Sequence, residues 1–78
     1  MIRRLGGKIR RLRQRDQLSQ ADLARRIGFS KRSRGYISEI ENDKKTPPAE
    51  VIVRLALLFG VSTDYLLRDD IPMMADED

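Results

Sequence analysis

Residues 18–41, LSQADLARRIGFSKRSRGYISEIE, are read first because they hold two short helical patterns separated by a glycine. The first pattern opens at Ser19. A serine there serves as N-cap, and Asp22 three residues later completes the S-x-x-D spacing of a capping box, which satisfies orphan amides at a helix start. Leu23 and Ile27 fall four apart on one face, with Ala24 beside them where a crossing helix needs a small side chain. Gly28 ends the pattern, since glycine enters the left-handed C-cap conformation without steric cost.

The second pattern has two serines able to cap it, Ser30 and Ser33. Ile37 and Ile40, three apart, turn toward a core, with Glu41 four after Ile37, while Tyr36, Ser38 and Glu39 face other directions. The two patterns together read as a helix-turn-helix. KRSR at 31–34 gathers positive charge at the N-terminal end of the second helix, the end that a recognition helix presents to a major groove.

A chain of 78 residues suffices for one domain with a small core. It has no cysteine and no histidine. That removes disulfides, zinc fingers, thiol nucleophiles and the commonest general base together, so no catalytic residue, metal site or cofactor is expected and the chain is read as a non-enzyme. No apolar run is long enough to span a bilayer, and the opening MIRRLGGK lacks the apolar centre of a signal peptide. A cytoplasmic protein with no membrane partner is expected, and no small-molecule effector is evident.

The net charge of +4 hides a segregation. Residues 1–34 carry 12 Lys/Arg against 2 Asp/Glu, whereas residues 35–78 carry 4 against 10. A merely solvated surface mixes its signs, because like charges gathered on one small face repel. The segregation therefore favours a polyanionic partner, and with the motif that partner is nucleic acid.

Taken in order, Met1–Arg4 is a short basic arm, and Gly6-Gly7 marks where it gives way to a first helix. Leu5, Ile9 and Leu12 sit at i, i+4 and i+7, the apolar stripe of a helix reaching about Asp16. Cations near a helix N-terminus oppose the macrodipole by some tenths of a kcal/mol each. Arg3, Arg4 and Lys8 therefore hint at an external partner, against the plain alternative of a solvated helix face. Leu18, just before the N-cap, stands where a hydrophobic staple would.

After Glu41, Asn42-Asp43 stops the third helix, Asp being more tolerant of the left-handed conformation than most residues. Lys44, Lys45 and Thr46 form a basic loop, and Pro47-Pro48 starts a fourth helix. Val51, Leu55 and Leu58, widened by Ile52 and Phe59, are its core stripe. Gly60 closes it, Ser62 caps a short fifth helix, and Tyr65, Leu66 and Leu67 give that helix more apolar surface than one small core needs. The domain is set at 1–68. The tail 69–78, with Pro72 and five acids, is expected to be frayed or an interaction strap.

The fragments LGGKIRRLR, LSQADLARRIG, YISEIENDKKTPP and LLFGVSTDYLL, in this order from Leu5 to Leu67, resemble the lambda-repressor-like, Cro/C1-type (XRE family) helix-turn-helix domain. The resemblance implies an all-α, five-helix DNA-binding domain. One departure is plain: Gly28 to Ile37 spans nine positions, where the family has about three residues fewer. The resemblance further implies a partly buried ion pair between Arg13 and Glu41 that clamps the first helix to the third. Losing one partner of such a pair costs about 3 kcal/mol. It implies that Gln20 meets a DNA phosphate at the start of the second helix, that Asn42, Lys44 and Lys45 grip the backbone beyond the third, and that the fifth helix, Tyr65, Leu66 and Leu67, makes a dimer contact.

Phosphate contacts give affinity and register, whereas base-edge contacts give sequence discrimination. If Ser33 caps the third helix, Arg34, Gly35, Ser38 and Glu39 face the groove. Arg34 can then donate two hydrogen bonds to guanine and Glu39 can accept from cytosine, with Lys31 and Arg32 as loop cations reaching the backbone. If Ser30 is the cap, Lys31 and Arg32 lead the helix into the groove and Gly35 lies mid-helix at a cost of about 1 kcal/mol, which favours Ser33.

One copy reads only a few base pairs, so a homodimer on a palindromic operator is expected. The function read from all this is a sequence-specific, DNA-binding transcriptional regulator of the repressor kind, although the same domain can activate. Phage-type repressor, restriction-modification controller and antitoxin remain sub-readings. The rival from another class is a protein-interaction module, such as an antitoxin-type partner domain, built on the same fold. Twelve cations in the first 34 residues tell against it.

Overall fold

The computed structural model describes residues 4–30 and 33–73. Five helices follow one another: α1 Leu5–Arg15, α2 Gln20–Arg26, α3 Arg34–Glu41, α4 Ala49–Phe59 and α5 Thr63–Leu67. Among the described residues there is no strand. α2 packs on α3, α1 on α3 and α5, and α4 on α5. The apolar positions of all five meet in one core that includes Leu5, Ile9, Leu23, Ile37, Ile40, Leu55 and Leu66. Each fully buried aliphatic side chain there contributes about 1.5–3 kcal/mol relative to an exposed one.

The expected local signals operate at α2. The Ser19 hydroxyl accepts from the Asp22 N–H at 2.9 Å, and the Ser19 N–H donates to the Asp22 carboxylate at 3.1 Å, closing the capping box. That contact with the Ser19 amide, then its hydroxyl and Arg25, holds the Asp22 carboxyl down at about 2. Gly28 takes φ 95°, ending the helix. α3 begins at Arg34 with Ser33 in the N-cap position, the shorter of the two expected helices, although the Ser33 side chain makes no capping hydrogen bond. α4 begins at Ala49, so Pro48 is its N-cap instead of its first residue.

α1 begins at Leu5, the first residue of the expected apolar stripe, and includes Gly6 and Gly7. No side chain of its own caps it. Two distant carboxylates do so: Asp43 accepts from the Gly6 N–H at 3.0 Å and Asp69 from the Arg4 N–H at 3.1 Å. Gly6 must be glycine for packing, because a Cβ there would lie 2.5 Å from the carbonyl oxygens of both Ile40 and Glu41.

Lys8 departs from the expectation. Expected to serve an external partner, it is 0% exposed. Its ammonium donates to the carbonyls of Tyr65 and, at 2.9 Å, Arg68, and lies 4.6 Å from the Tyr65 ring centre. It satisfies the otherwise orphaned carbonyl end of α5. Burial pushes its pKa down. Arg54 and Arg15 act likewise, donating to Ile27 O at the end of α2 (2.9 Å) and Phe59 O at the end of α4 (3.1 Å). Cations suit these sites because the carbonyl ends of helices carry negative partial charge.

Residues 69–73, expected to be frayed or a strap, lie against α1. Besides the Asp69 contact, Ile71 packs on the core and the Met73 methyl lies 2.7 Å from where a Gly7 Cβ would sit.

Candidate nucleic-acid interface

Ile37 and Ile40, each 1% exposed, pin α3 to the core by one side. Of the residues expected to face a groove, Arg34 and Gly35 are exposed and Ser38 and Glu39 are half-buried. The last two are held by the loop that follows. Asn42 donates to the Ser38 carbonyl at 2.9 Å, and the Lys45 ammonium sits 3.2 Å from the Glu39 carboxylate. The amides of Lys44 and Lys45 both donate to Glu39 O, at 2.8 and 3.3 Å. Loop 42–45 is thereby an extension of α3, which brings Asn42, Lys44 and Lys45 beside the exposed side of the helix. Lys31 and Arg32 lie outside the described residues.

At the back of this surface Glu41 is buried, its side chain 0% exposed. Arg13 meets it through two hydrogen bonds, Nε to Oε2 at 2.6 Å and Nη2 to Oε1 at 3.0 Å, and also donates to Leu18 O at 3.0 Å. The planar guanidinium matches a carboxylate in this two-point geometry, and the hydrogen bond to Glu41 raises the Arg13 pKa. Gln20 joins the same carboxylate, its Nε2 donating at 3.2 Å. Its side-chain amide, expected on a phosphate, is thus also an internal link between α2 and α3.

Arg10 escaped the sequence reading. Its Nη2 donates to Asn42 at 2.9 Å and its Nε lies 3.5 Å from Glu41, while the side chain stays 44% exposed. The available signal was its spacing of three from Arg13, which places both on one face of α1. Tyr36 was likewise unassigned. It stands edge-to-face with Phe29, ring centres 5.6 Å apart, and its ring lies 5.8 Å from the Lys45 ammonium.

The expected dimer contact needs correction. Leu66 is 0% exposed and Tyr65 is buried beside it, both within this chain's own core. A helix of five residues tucked between α1 and α4 turns its larger side chains inward. Only Leu67 of the three remains at the surface. Among the described residues the more exposed large apolar side chains are Val53 and Leu57 on α4, one turn apart, with Leu57 78% exposed.

Among the described residues no group of His, Cys, Asp and Glu could hold a metal ion, and no helix is long and apolar enough to cross a membrane.

Comparison with known proteins agrees with this architecture. A family profile described as a helix-turn-helix domain matches residues 6–69. The chain is 40% identical over 60 residues to the uncharacterized HTH-type transcriptional regulator YobD of Bacillus subtilis, an alignment covering 77% of this chain and 51% of YobD. It thus spans about half the length of that relative. Among solved structures it resembles the P22 c2 repressor protein in complex with a synthetic operator, with TM-score 0.74 and 31% identity over 82% of this chain and 92% of that one. The solution structure of the P22 c2 repressor DNA-binding domain gives TM-score 0.75 and 28% identity, over 96% and 95%. These relatives are regulators and not enzymes. With the profile spanning all five helices and the repressor fold reproduced, the chain belongs to the Cro/C1-type (XRE) helix-turn-helix family of lambda-repressor-like domains.

Proposed function

We propose that this chain is the DNA-binding part of a cytoplasmic transcriptional regulator, a repressor that occludes a palindromic operator as a homodimer. The observation that carries this reading is the two-sidedness of α3. Its isoleucines anchor it while Arg34, Gly35, Ser38 and Glu39 stand away from the core, with Asn42, Lys44 and Lys45 extending the helix as a basic edge. In the P22 c2 complex a domain of the same fold is bound to operator DNA.

In this reading Arg34 reads guanine, Glu39 accepts from cytosine, and Ser38 and Gly35 complete the base-facing surface. Gln20, Lys31, Arg32, Asn42, Lys44 and Lys45 hold the phosphates, and Arg10 joins them from α1. Arg13 and Glu41 remain scaffold. The second copy docks on the exposed Val53, Leu57 and Leu67, because a two-fold pair of recognition helices one helical turn apart needs an apolar contact that the chain's own core leaves free.

The test is enrichment of duplexes from a random library by the full chain, followed by binding at several salt concentrations. The expected result is a palindromic consensus whose affinity falls steeply with salt. Leu57→Lys should shift the DNA-bound species from two copies to one in sedimentation. Failure to enrich any duplex would remove the regulator assignment.

A further inference from the structure

Three of the five glycines answer to the fold: a Cβ on Gly6 would strike backbone carbonyls, and Gly28 and Gly60 hold φ of 95° and 69°. A Cβ on Gly7 would meet only the flexible end of the Met73 side chain. Gly35 has no such reason. It lies in the first turn of α3, two residues after the Ser33 N-cap, and a Cβ built on it meets no described heavy atom within 4 Å. Glycine loses more backbone entropy on folding than alanine, and nothing in the described structure requires it here, so the fold on its own does not call for glycine.

Its position supplies another reason. Two residues before Ile37 and five before Ile40, Gly35 lies on the side of α3 away from the core. Helical side chains lean toward the N-terminus, so Ser38 and Glu39, three and four residues on, are the ones placed to cover it. Both are drawn elsewhere. Asn42 ties Ser38 through its carbonyl at 2.9 Å and its hydroxyl at 3.4 Å, and Lys45 holds the Glu39 carboxylate at 3.2 Å. Among the described residues nothing covers the spot where a Gly35 Cβ would sit.

We infer that Gly35 determines specificity through the side chain it lacks: the bare backbone lets α3 seat close to the floor of the major groove, bringing Arg34 and Glu39 within reach of base edges. This rests on α3 being the DNA-reading helix, as proposed above. Contacts that discriminate bases are short-ranged hydrogen bonds, whereas phosphate attraction tolerates a small displacement. A side chain at Gly35 therefore removes discrimination and spares general affinity.

The experiment compares the wild-type chain, Gly35→Ala and Gly35→Leu on a duplex enriched by the wild type and on a random duplex of equal length, at one salt concentration. The alanine variant should melt no lower than the wild type, so that any loss of binding is not a loss of fold. Its affinity for the enriched duplex should fall about ten- to a hundredfold, more for leucine, with random-duplex affinity held within about twofold. Enriched-duplex binding equal to wild type, or an equal loss on both duplexes, would overturn the inference while leaving the regulator reading intact. No enrichment by the wild type would overturn both.

Discussion

The carboxylate of Asp43 accepts a hydrogen bond from the Gly6 amide at 3.0 Å, so the residue that ends α3 also caps the start of α1. Asp43 does this from the left-handed conformation, φ 59°, that ends helices and that glycine adopts most easily. An aspartate at this position has a tertiary role that a glycine could not fill. Asp43→Ala should lose both the cap and the tolerance of positive φ, destabilising by about 1–3 kcal/mol. Asp43→Gly, which loses only the cap, should cost less. Gly6→Ala, which drives a methyl into two backbone carbonyls, should cost at least as much as Asp43→Ala. Urea unfolding of the three variants would check the order, and a neutral Gly6→Ala would show that α1 and α3 are not held at this separation.

Glu41 is the shared acceptor for Arg13 and, more loosely, Arg10 from α1 and for Gln20 from α2. Removing it leaves Arg13 without its counter-charge, so Glu41→Ala should cost about 3–5 kcal/mol, a large share of the stability of so small a domain. Replacing both Arg13 and Glu41 by leucine should cost less than the two single changes summed. A double-mutant cycle by chemical denaturation measures this. Strict additivity would show that the two groups act independently.

The Asp22 carboxyl is held at about 2, below its ordinary 3.8, because the Ser19 amide and hydroxyl and Arg25 all favour its charged form. A depressed carboxyl contributes stability that is fully present above the unfolded value and is lost as pH falls through the folded one. The wild type should therefore lose this contribution between about pH 4 and pH 2. Asp22→Asn should melt at lower temperature near neutral pH, and the gap should close across that window. A gap unchanged down to pH 2 would mean that the capping box does not depend on charge.

Arg34 and Lys45 are assigned opposite duties on DNA. Arg34→Ala should cost about 1–3 kcal/mol on the enriched duplex and relax preference at one base pair. Lys45→Ala should weaken all duplexes about equally and lower the salt slope by about 1. Lys45 also neutralises Glu39 at 3.2 Å, so its loss leaves that carboxylate without this counter-charge. Competition assays across single-base variants of the enriched site separate the two patterns, and identical profiles would show that the division between base and backbone contacts is misplaced.

Local chemistry made much of the fold legible from the chain alone. The Ser19–Asp22 box, the left-handed glycines 28 and 60, Ser62 at the head of α5 and the isoleucine pair of α3 each act over one helical turn, where spacing in sequence is spacing in space. The family pattern added the Arg13–Glu41 pair across 28 residues, which periodicity has no means of foreseeing. Whatever depended on which helix end meets which side chain had to await the folded chain. Lys8, Arg15 and Arg54 look like surface cations in sequence, yet each closes the carbonyl end of another helix, and Asp43 and Asp69 close the amide end of α1. Leu66 looked available to a partner until α1 and α4 were seen to enclose it. The physical reason is common to all of these: a helix leaves its terminal polar groups and apolar stripe unsatisfied wherever it lies, but only the packing of five helices decides which distant residue arrives to satisfy them.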